Sequence, residues 1–268
     1  MPLLCYAANR MHCNLRLAGV FLAAGFFQAC AVAPGPDPEI PGLETRKMVA
    51  QRLSAVVVTN QASLRNWASR SFSSSQTPGD ADGGSATPIS HDGYFLTADH
   101  VLAQVDGRNV FVLYGNRGRL IQKKARVVWR SQSADLALLH IPEKTPYYYR
   151  WTPAERWLPV GTGVVHGGIA TGFKSAPGKL GTPISPESFL TGNRVFKIDI
   201  PLQPGDSGGP VVDAYGGLVG INSAVEFLIP METAFFVDSE ANRPSIRKIE
   251  SIIQMDRGRN IGSSSGVE

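Results

Sequence analysis

Cysteine is nearly absent from this sequence: its 268 residues hold three, Cys5, Cys13 and Cys30, and none follows residue 30. The body of the chain therefore has no thiols for a disulfide framework, and a body of about 230 residues buries enough surface to fold without one. An excess of one charge sign is missing too. The formal net charge is +4, Arg10 and Arg16 supply two of those charges, and no acid precedes Asp37. A body so nearly balanced argues against nucleic acid as a partner. There is no metal-ligand cluster, phosphate-binding glycine loop or nucleotide fingerprint, which implies no cofactor and no metal. Helical periodicity is scarce, and the one long apolar run, Leu17 to Phe27, is too short to span a bilayer comfortably.

That run is preceded by Arg10 and Arg16 and followed by Gln28-Ala29-Cys30, the anatomy of an export signal over residues 1–30. Met11 offers a more compact start than Met1. Two processing outcomes stay open. Cys30 follows a small residue and sits where bacterial lipoproteins carry their acylated cysteine, which would make Cys30 a lipid anchor; the other outcome is an ordinary cut after Ala31. Acylation tethers a protein to a membrane without spanning it. Either outcome places the body in the periplasm or cell envelope. Residues 31–45, dense in proline, read as an extended tether.

The folded body is expected over 46–257. Arg46 to Leu53 reads as a short helix and Ser54 to Thr59 as a β-branched strand. Ser69 to Ala86, rich in Ser, Gly and Asp, reads as an exposed loop. Thr87 to Ser90 and Tyr94 to Thr97 flank His91-Asp92-Gly93 as a hairpin. Further strands are expected at Asn109–Tyr114, Arg119–Trp129 and Leu136–Ile141. After an aromatic stretch from Pro142 to Trp157 come Thr162–Ile169, Ala170–Phe173, Arg194–Ile200, Pro210–Asp213, Gly217–Asn222 and Ala234–Val237. The aromatic stretch reads as a connector, with an exposed partner-binding patch as the alternative. So many short strands predict an all-β sandwich or barrel. Pro244 followed by Ile246, Ile249, Ile252 and Ile253 predicts a helix over about 244–256, and 258–268 reads as a disordered tail.

Gly205-Asp206-Ser207-Gly208-Gly209-Pro210 carries the most chemistry. A serine among so many glycines marks a turn where backbone passes close to something else, although a bare Gly-x-Ser-x-Gly also fits an ordinary turn or an α/β-hydrolase elbow. The elbow needs a histidine after the serine, and the last histidine is His166. The order acid, histidine, serine would need an α/β body, which the strand pattern opposes. What remains is histidine, acid, serine. His91 lies in a predicted turn, His140 in an apolar strand and His166 before a glycine pair. His100 follows the strand Tyr94 to Ala98, which delivers it to an exposed end where a base can meet a nucleophile. Among the acids, Asp106 reads as a turn residue, Asp199 as a strand residue and Asp206 as turned away from its neighbour. Asp135 sits where Ser133-Ala134 leads into the apolar Leu136 to Leu139, a junction at which a carboxylate can be buried beside an imidazole.

Leu96-Thr97-Ala98-Asp99-His100-Val101, Ser133-Ala134-Asp135-Leu136-Ala137-Leu138 and Pro204 to Pro210 together resemble the three triad segments of trypsin-like serine peptidases, traceable from about Ser54 to Val237. The plain, cysteine-free body is closest in style to the bacterial HtrA/Deg branch, without the PDZ domain that many of those proteins carry. The resemblance implies two six-stranded Greek-key β-barrels, about 50–145 and 155–240, with a C-terminal helix. It also implies a serine endopeptidase acting on polypeptides with His100 as base, Asp135 as orienting acid and Ser207 as nucleophile. The backbone N–H groups of Gly205 and Ser207 would form the oxyanion hole. Pro201, six residues before the serine, implies a pocket for apolar or small side chains, with Glu226 and Glu232 on the far wall as possible sources of charge. Ile221, Asn222, Ser223 and Ala224 are expected to offer an edge to the substrate backbone. The alternative is an inactive binding or regulatory protein on the same fold.

Overall fold

A computed structural model describes residues 40–64, 80–116, 119–170, 175–223, 229–231, 234–236 and 239–264. The expected signal, Cys30, most of the tether, Ala224, Glu226 and Glu232 lie outside the described residues.

Six strands close the first barrel: β1 (Ser54–Thr59), β2 (Asp82–Pro88), β3 (Tyr94–Thr97), β4 (Asn109–Asn116), β5 (Arg119–Ser131) and β6 (Leu136–His140), in the order β1-β2-β3-β6-β5-β4. Side chains alternate across a strand. Val56, Val58, Val110 and Val112 therefore fill the barrel with Phe95 and Leu139. Ala55, Val57, Phe111 and Leu113 point outward onto Leu64. Because both faces are covered, Ser54 to Thr59 reads as a continuous apolar run.

A second sheet has the order β8-β7-β10-β11-β14-β9, from β7 (Gly163–Gly167), β8 (Ser175–Lys179), β9 (Arg194–Ile198), β10 (Pro210–Asp213), β11 (Leu218–Ser223) and β14 (Ser239–Arg243). It curls until its edges meet, with Leu180 bridging Ile198 and the Gly181 N–H donating to the Lys197 carbonyl at 2.8 Å. β12 (Ile229–Met231) and β13 (Ala234–Phe236) form a separate hairpin. The expected all-β, two-barrel architecture is present.

A third core lies between the barrels, where Tyr94, Leu96, Leu136 and Leu138 meet Val165, Val212 and Ile221. Two helices seal it: α1 (Leu43–Gln51) through Val49, and α2 (Ile246–Ser264) through Ile249 and Ile253. The stripe of isoleucines is thus the buried face of α2. Ser245 caps the helix, its Oγ accepting the Lys248 N–H at 3.3 Å, while Glu187 accepts the Ile246 N–H at 3.1 Å. On the first barrel, Asp256 receives two bonds from Arg126 (2.8 and 2.7 Å) and one from the Tyr94 hydroxyl (2.8 Å). Arg257 holds Asp92 through two bonds of 2.8 Å.

Several expectations need correction. Residues 82–86 are strand, not loop, because their glycines let β2 run against other backbone: a Cβ on Gly84 would lie 2.8 Å from the Val101 side chain and 2.9 Å from the Ser207 carbonyl oxygen. Ala170 is in a turn, and 171–173 lie outside the described residues. The neighbouring strand is β8, whose Pro177 is tolerated at a sheet edge where a missing N–H matters least. β14 is polar in sequence yet buried: Arg243 donates to the carbonyls of Val219 (2.9 Å) and Thr152 (2.8 Å). Residues 258–264 continue α2 through Gly258, since the contacts of Asp256 and Arg257 hold that turn against a glycine cost of about 1 kcal/mol. In the aromatic connector, Tyr149 is buried in the inter-barrel core and the Tyr147 hydroxyl donates to the Gly115 carbonyl at 2.8 Å, so much of that stretch is packed inward.

Candidate active site

β3 and β6 are ladder neighbours, with Thr97 opposite Ala137. Their ends therefore deliver two short turns side by side, the 3₁₀ turns η1 (Asp99–Leu102) and η2 (Gln132–Ala134). His100 lies on the first, and Asp135 closes the second. The His100 Nδ1 is 2.9 and 3.0 Å from the two Asp135 carboxylate oxygens, and the His100 backbone N–H donates to Asp135 Oδ1 at 3.0 Å. Asp135 has φ 44°, and among the described residues it is the one non-glycine residue in the left-handed region. Such a backbone is held by its surroundings, here by those bonds and by the Ser223 Oγ, which donates to Asp135 Oδ2.

The electrostatics follow. The bond to Asp135 raises the His100 pKa above the usual imidazole value, against the opposing effect of burial, and the charge of Asp99 adds to the rise. Burial alone would raise the Asp135 carboxyl, but hydrogen bonds from His100 and Ser223 outweigh it and hold the pKa below the usual range. Asp99, beside His100 in sequence, is itself buried and clamped by Arg130 on β5, with Nε at 2.7 Å and Nη2 at 3.1 Å from its carboxylate. Nη2 also donates to the Asp99 carbonyl at 3.3 Å. Arg130 faces Ala137 in the ladder, so the clamp ties the histidine turn to β5, next to the strand that follows Asp135.

Ser207 belongs to a tight turn between β9 and β10. The Asp206 N–H donates to the Gln203 carbonyl (2.9 Å), Gly208 to Asn222 (2.8 Å) and Gly209 to Asp206 (3.0 Å). The N–H groups of Gly205 and Ser207 take no partner among the bonds of the described residues. Gly205 at φ 103° and Gly208 at φ 90° adopt backbone conformations that glycine supplies without strain. The first barrel grips this turn through β2. The Ser85 N–H donates to the Ser207 carbonyl (2.8 Å), the Ser85 Oγ to the Gly205 carbonyl (2.7 Å) and the Thr87 Oγ1 to the Gly208 carbonyl (2.9 Å). Sequence reasoning missed Ser85 because it assigned the stretch to a loop.

His100, Ser207 and Gly205 line one cleft of 450 Å³. No hydrogen bond joins His100 to Ser207 among the described residues. The other histidines sit elsewhere: His91 is exposed in a turn, His140 packs at a tilt against Tyr94 with its Nε2 3.1 Å from the Asp92 carbonyl oxygen, and His166 is buried on β7. Asp106 is exposed in a turn; Asp199 just beyond β9 accepts the Lys179 N–H; Asp206 is buried and accepts the Gln203 N–H at 3.0 Å.

The expected substrate edge is narrower than the sequence suggested. β11 is a central strand, so Ile221 and Asn222 are hemmed in by β14 on one side and by Pro210 and Gly209 on the other, and cannot pair with a substrate. The Asn222 side chain donates to the carbonyl of Gly167 (3.3 Å) behind the Ser207 turn. Ser223 pairs in the ladder with Glu240 and turns its hydroxyl to Asp135, a contact the sequence reading did not foresee. Pro201 is exposed before the turn.

Comparison with known proteins bears on this geometry. The trypsin-like peptidase domain family matches residues 84–221. A probable periplasmic serine endoprotease, DegP-like, of Pseudomonas fluorescens is 31% identical over 172 residues, 59% of this chain and 34% of that protein. One from Ectopseudomonas mendocina is 28% identical over 205 residues, 69% of this chain and 41% of the other. The chain thus spans about a third to two-fifths of the length of these relatives. Among solved structures, the HtrA-type protease AlgW with a tripeptide superposes with a TM-score of 0.53 at 23% identity, covering 78% of this chain and 62% of that one. Deg5 gives 0.52 at 17%, covering 79% and 90%. These structures share the fold, and by the family match over residues 84–221, half of its length, the chain belongs to the trypsin-like peptidase domain family.

Proposed function

We propose that the protein is a serine endopeptidase of the bacterial periplasm or cell envelope, with residues 46–257 as its peptidase domain. The observation that carries this reading is that His100, paired with Asp135 behind it, lines one cleft with Ser207 and Gly205, whose two N–H groups take no partner among the described bonds. Asp135 accepts the Nδ1 proton and fixes the tautomer, leaving Nε2 to take the Ser207 proton as Oγ attacks a peptide carbonyl. The Gly205 and Ser207 N–H groups receive the oxyanion; one such donor contributes about 3 kcal/mol to the transition state. His100 then protonates the leaving amine, and water releases the acyl group by the reverse path. Pro201 in place of an acid favours an apolar or small side chain before the scissile bond. The periplasmic naming of the relatives supports an exported location, and acylation of Cys30 is the route by which the body would be held at a membrane.

A fluorophosphonate probe tests the reading. Wild type is expected to label and Ser207→Ala to lose all labelling while keeping its melting temperature. Well-folded wild type that stays unlabelled overturns the assignment.

A further inference from the structure

The cleft has two sides. On one side Asp135 stands at His100 Nδ1, with the Ser223 hydroxyl donating to its carboxylate. On the other side the wall is made by Asp82 and Gly83 of β2 and by Ala103 and Gln104 just after η1, together with His100 and Ser207. If Nε2 hands its proton to the leaving amine, the peptide beyond the scissile bond lies along this second wall.

β2 runs outward from the nucleophile there. Its Ser85 N–H is bonded to the Ser207 carbonyl at 2.8 Å, and the next residues outward are Gly84 and Gly83. Asp82 is therefore the first side chain met beyond Ser85. Three residues of strand span ~10 Å, within reach of a long basic side chain on the first two residues of an extended leaving peptide. Among the described residues lining the cleft, Asp82 is the one carboxylate, and none is Lys or Arg.

Arg108 fixes this carboxylate rather than hiding it. Its guanidinium donates to Asp82 Oδ2, to the Val58 carbonyl at 2.9 Å and to the Asp80 carbonyl, and its side chain is 12% exposed against 48% for Asp82. The cation is the inner member of the pair, and the acid is the member turned to the cleft. A carboxylate held this way has already lost the rotamer freedom that a flexible surface acid would lose on binding.

We propose that Asp82 makes the leaving-group side of the cleft select Lys or Arg at one of the first two positions after the scissile bond. The inference rests on the peptidase reading above and adds a substrate class to it. A fully desolvated pair is not required: a half-exposed carboxylate gives a preference that falls as salt rises.

The test uses internally quenched peptides that differ only at those two positions, carrying Lys, Gln or Glu. Wild type is expected to show kcat/KM about tenfold higher for Lys than for Gln, lower again for Glu, with the spread shrinking in high salt. Asp82→Asn is expected to bring the Lys-to-Gln ratio near one and Asp82→Lys to reverse the order, whereas Asp106→Asn, outside the cleft lining, keeps the wild-type ratio. The inference is overturned if wild type cleaves without preference, if both Asp82 variants keep the wild-type order, or if Asp106→Asn erases the ratio as fully. Cleavage without preference leaves the Ser207 chemistry standing; absence of both cleavage and probe labelling in folded wild type removes that reading as well.

Discussion

In the first barrel, the site residues are held by side chains: Asp135 by His100 and Ser223, Asp99 by Arg130. In the second, Ser207 is held through the main chain of its turn, whose N–H groups and carbonyls bond one another and whose carbonyls also accept from the Ser85 N–H and the Ser85 and Thr87 hydroxyls of β2. A base must be oriented and electrically tuned, which charged side chains can do. An oxyanion site needs N–H groups left over by a rigid loop, and rigidity without bulk comes from glycine and backbone bonding. The two halves should therefore fail differently: the first when a charge or hydrogen bond is removed, the second when an atom is added.

The largest effect is expected from Asp135→Asn. Asparagine tolerates the left-handed backbone at φ 44°, so the fold stays intact while the tautomer control is lost. Turnover should fall by ~10⁴, as for the same change in a chymotrypsin-type triad, with thermal unfolding unchanged. A negligible loss would mean the first barrel does not act through its charges. Next comes Gly208→Ala. A Cβ there falls inside contact distance of the Ser85 carbonyl and Thr97 Oγ1, on a backbone at φ 90°. Denaturant unfolding should show a loss of about 3 kcal/mol, and fluorophosphonate labelling should slow by ~10² as the turn shifts. Wild-type stability in this variant would break the contrast from the other side.

Asp99→Asn is the subtlest. Hydrolysis needs neutral His100, whose pKa is raised, so activity should climb with pH through a limb above the ordinary histidine range. The stabilisation from the His100–Asp135 charge pair has the opposite course: it is complete below the unfolded-state pKa and is lost as pH rises through the folded-state value. Removing the Asp99 charge should move the activity limb to lower pH and reduce the plateau kcat/KM about fivefold. A limb that stays in place while the rate falls would reduce the Asp99–Arg130 clamp to a purely mechanical role.

Much of this was legible in the sequence, for physical reasons that differ by element. His100 and Asp135 were singled out because one follows the strand Tyr94 to Ala98 and the other leads into the apolar Leu136 to Leu139, and Ser207 because no histidine comes after it; the fold brings His100 Nδ1 to 2.9 Å from Asp135. β1, β4 and β10 announced themselves through β-branched runs. Asp82 to Ala86 did not, since its own side chains carry little apolar signal and it is fixed by pairing with β1 and by the bonds of Ser85 to the Ser207 turn, over a hundred residues away. β14 hid for a similar reason: Arg243 is buried because distant carbonyls accept its protons. Ser223 was picked out, but for the substrate backbone; only the fold shows that β11 is central and that its last hydroxyl reaches Asp135.

Helix α2 joins residues far apart in the chain: Asp256 meets Tyr94 across 162 positions, and Arg257 meets Asp92 across 165. Contacts of such separation form late, after most of the chain entropy has been lost. The hairpin β2–β3 supplies both Ser85 and the approach to His100, and α2 holds that hairpin through Tyr94 and Asp92. This ion-pair latch ties the C-terminal helix to the hairpin that leads to Ser85 and His100, and in a body without cysteine it needs no thiol chemistry to close.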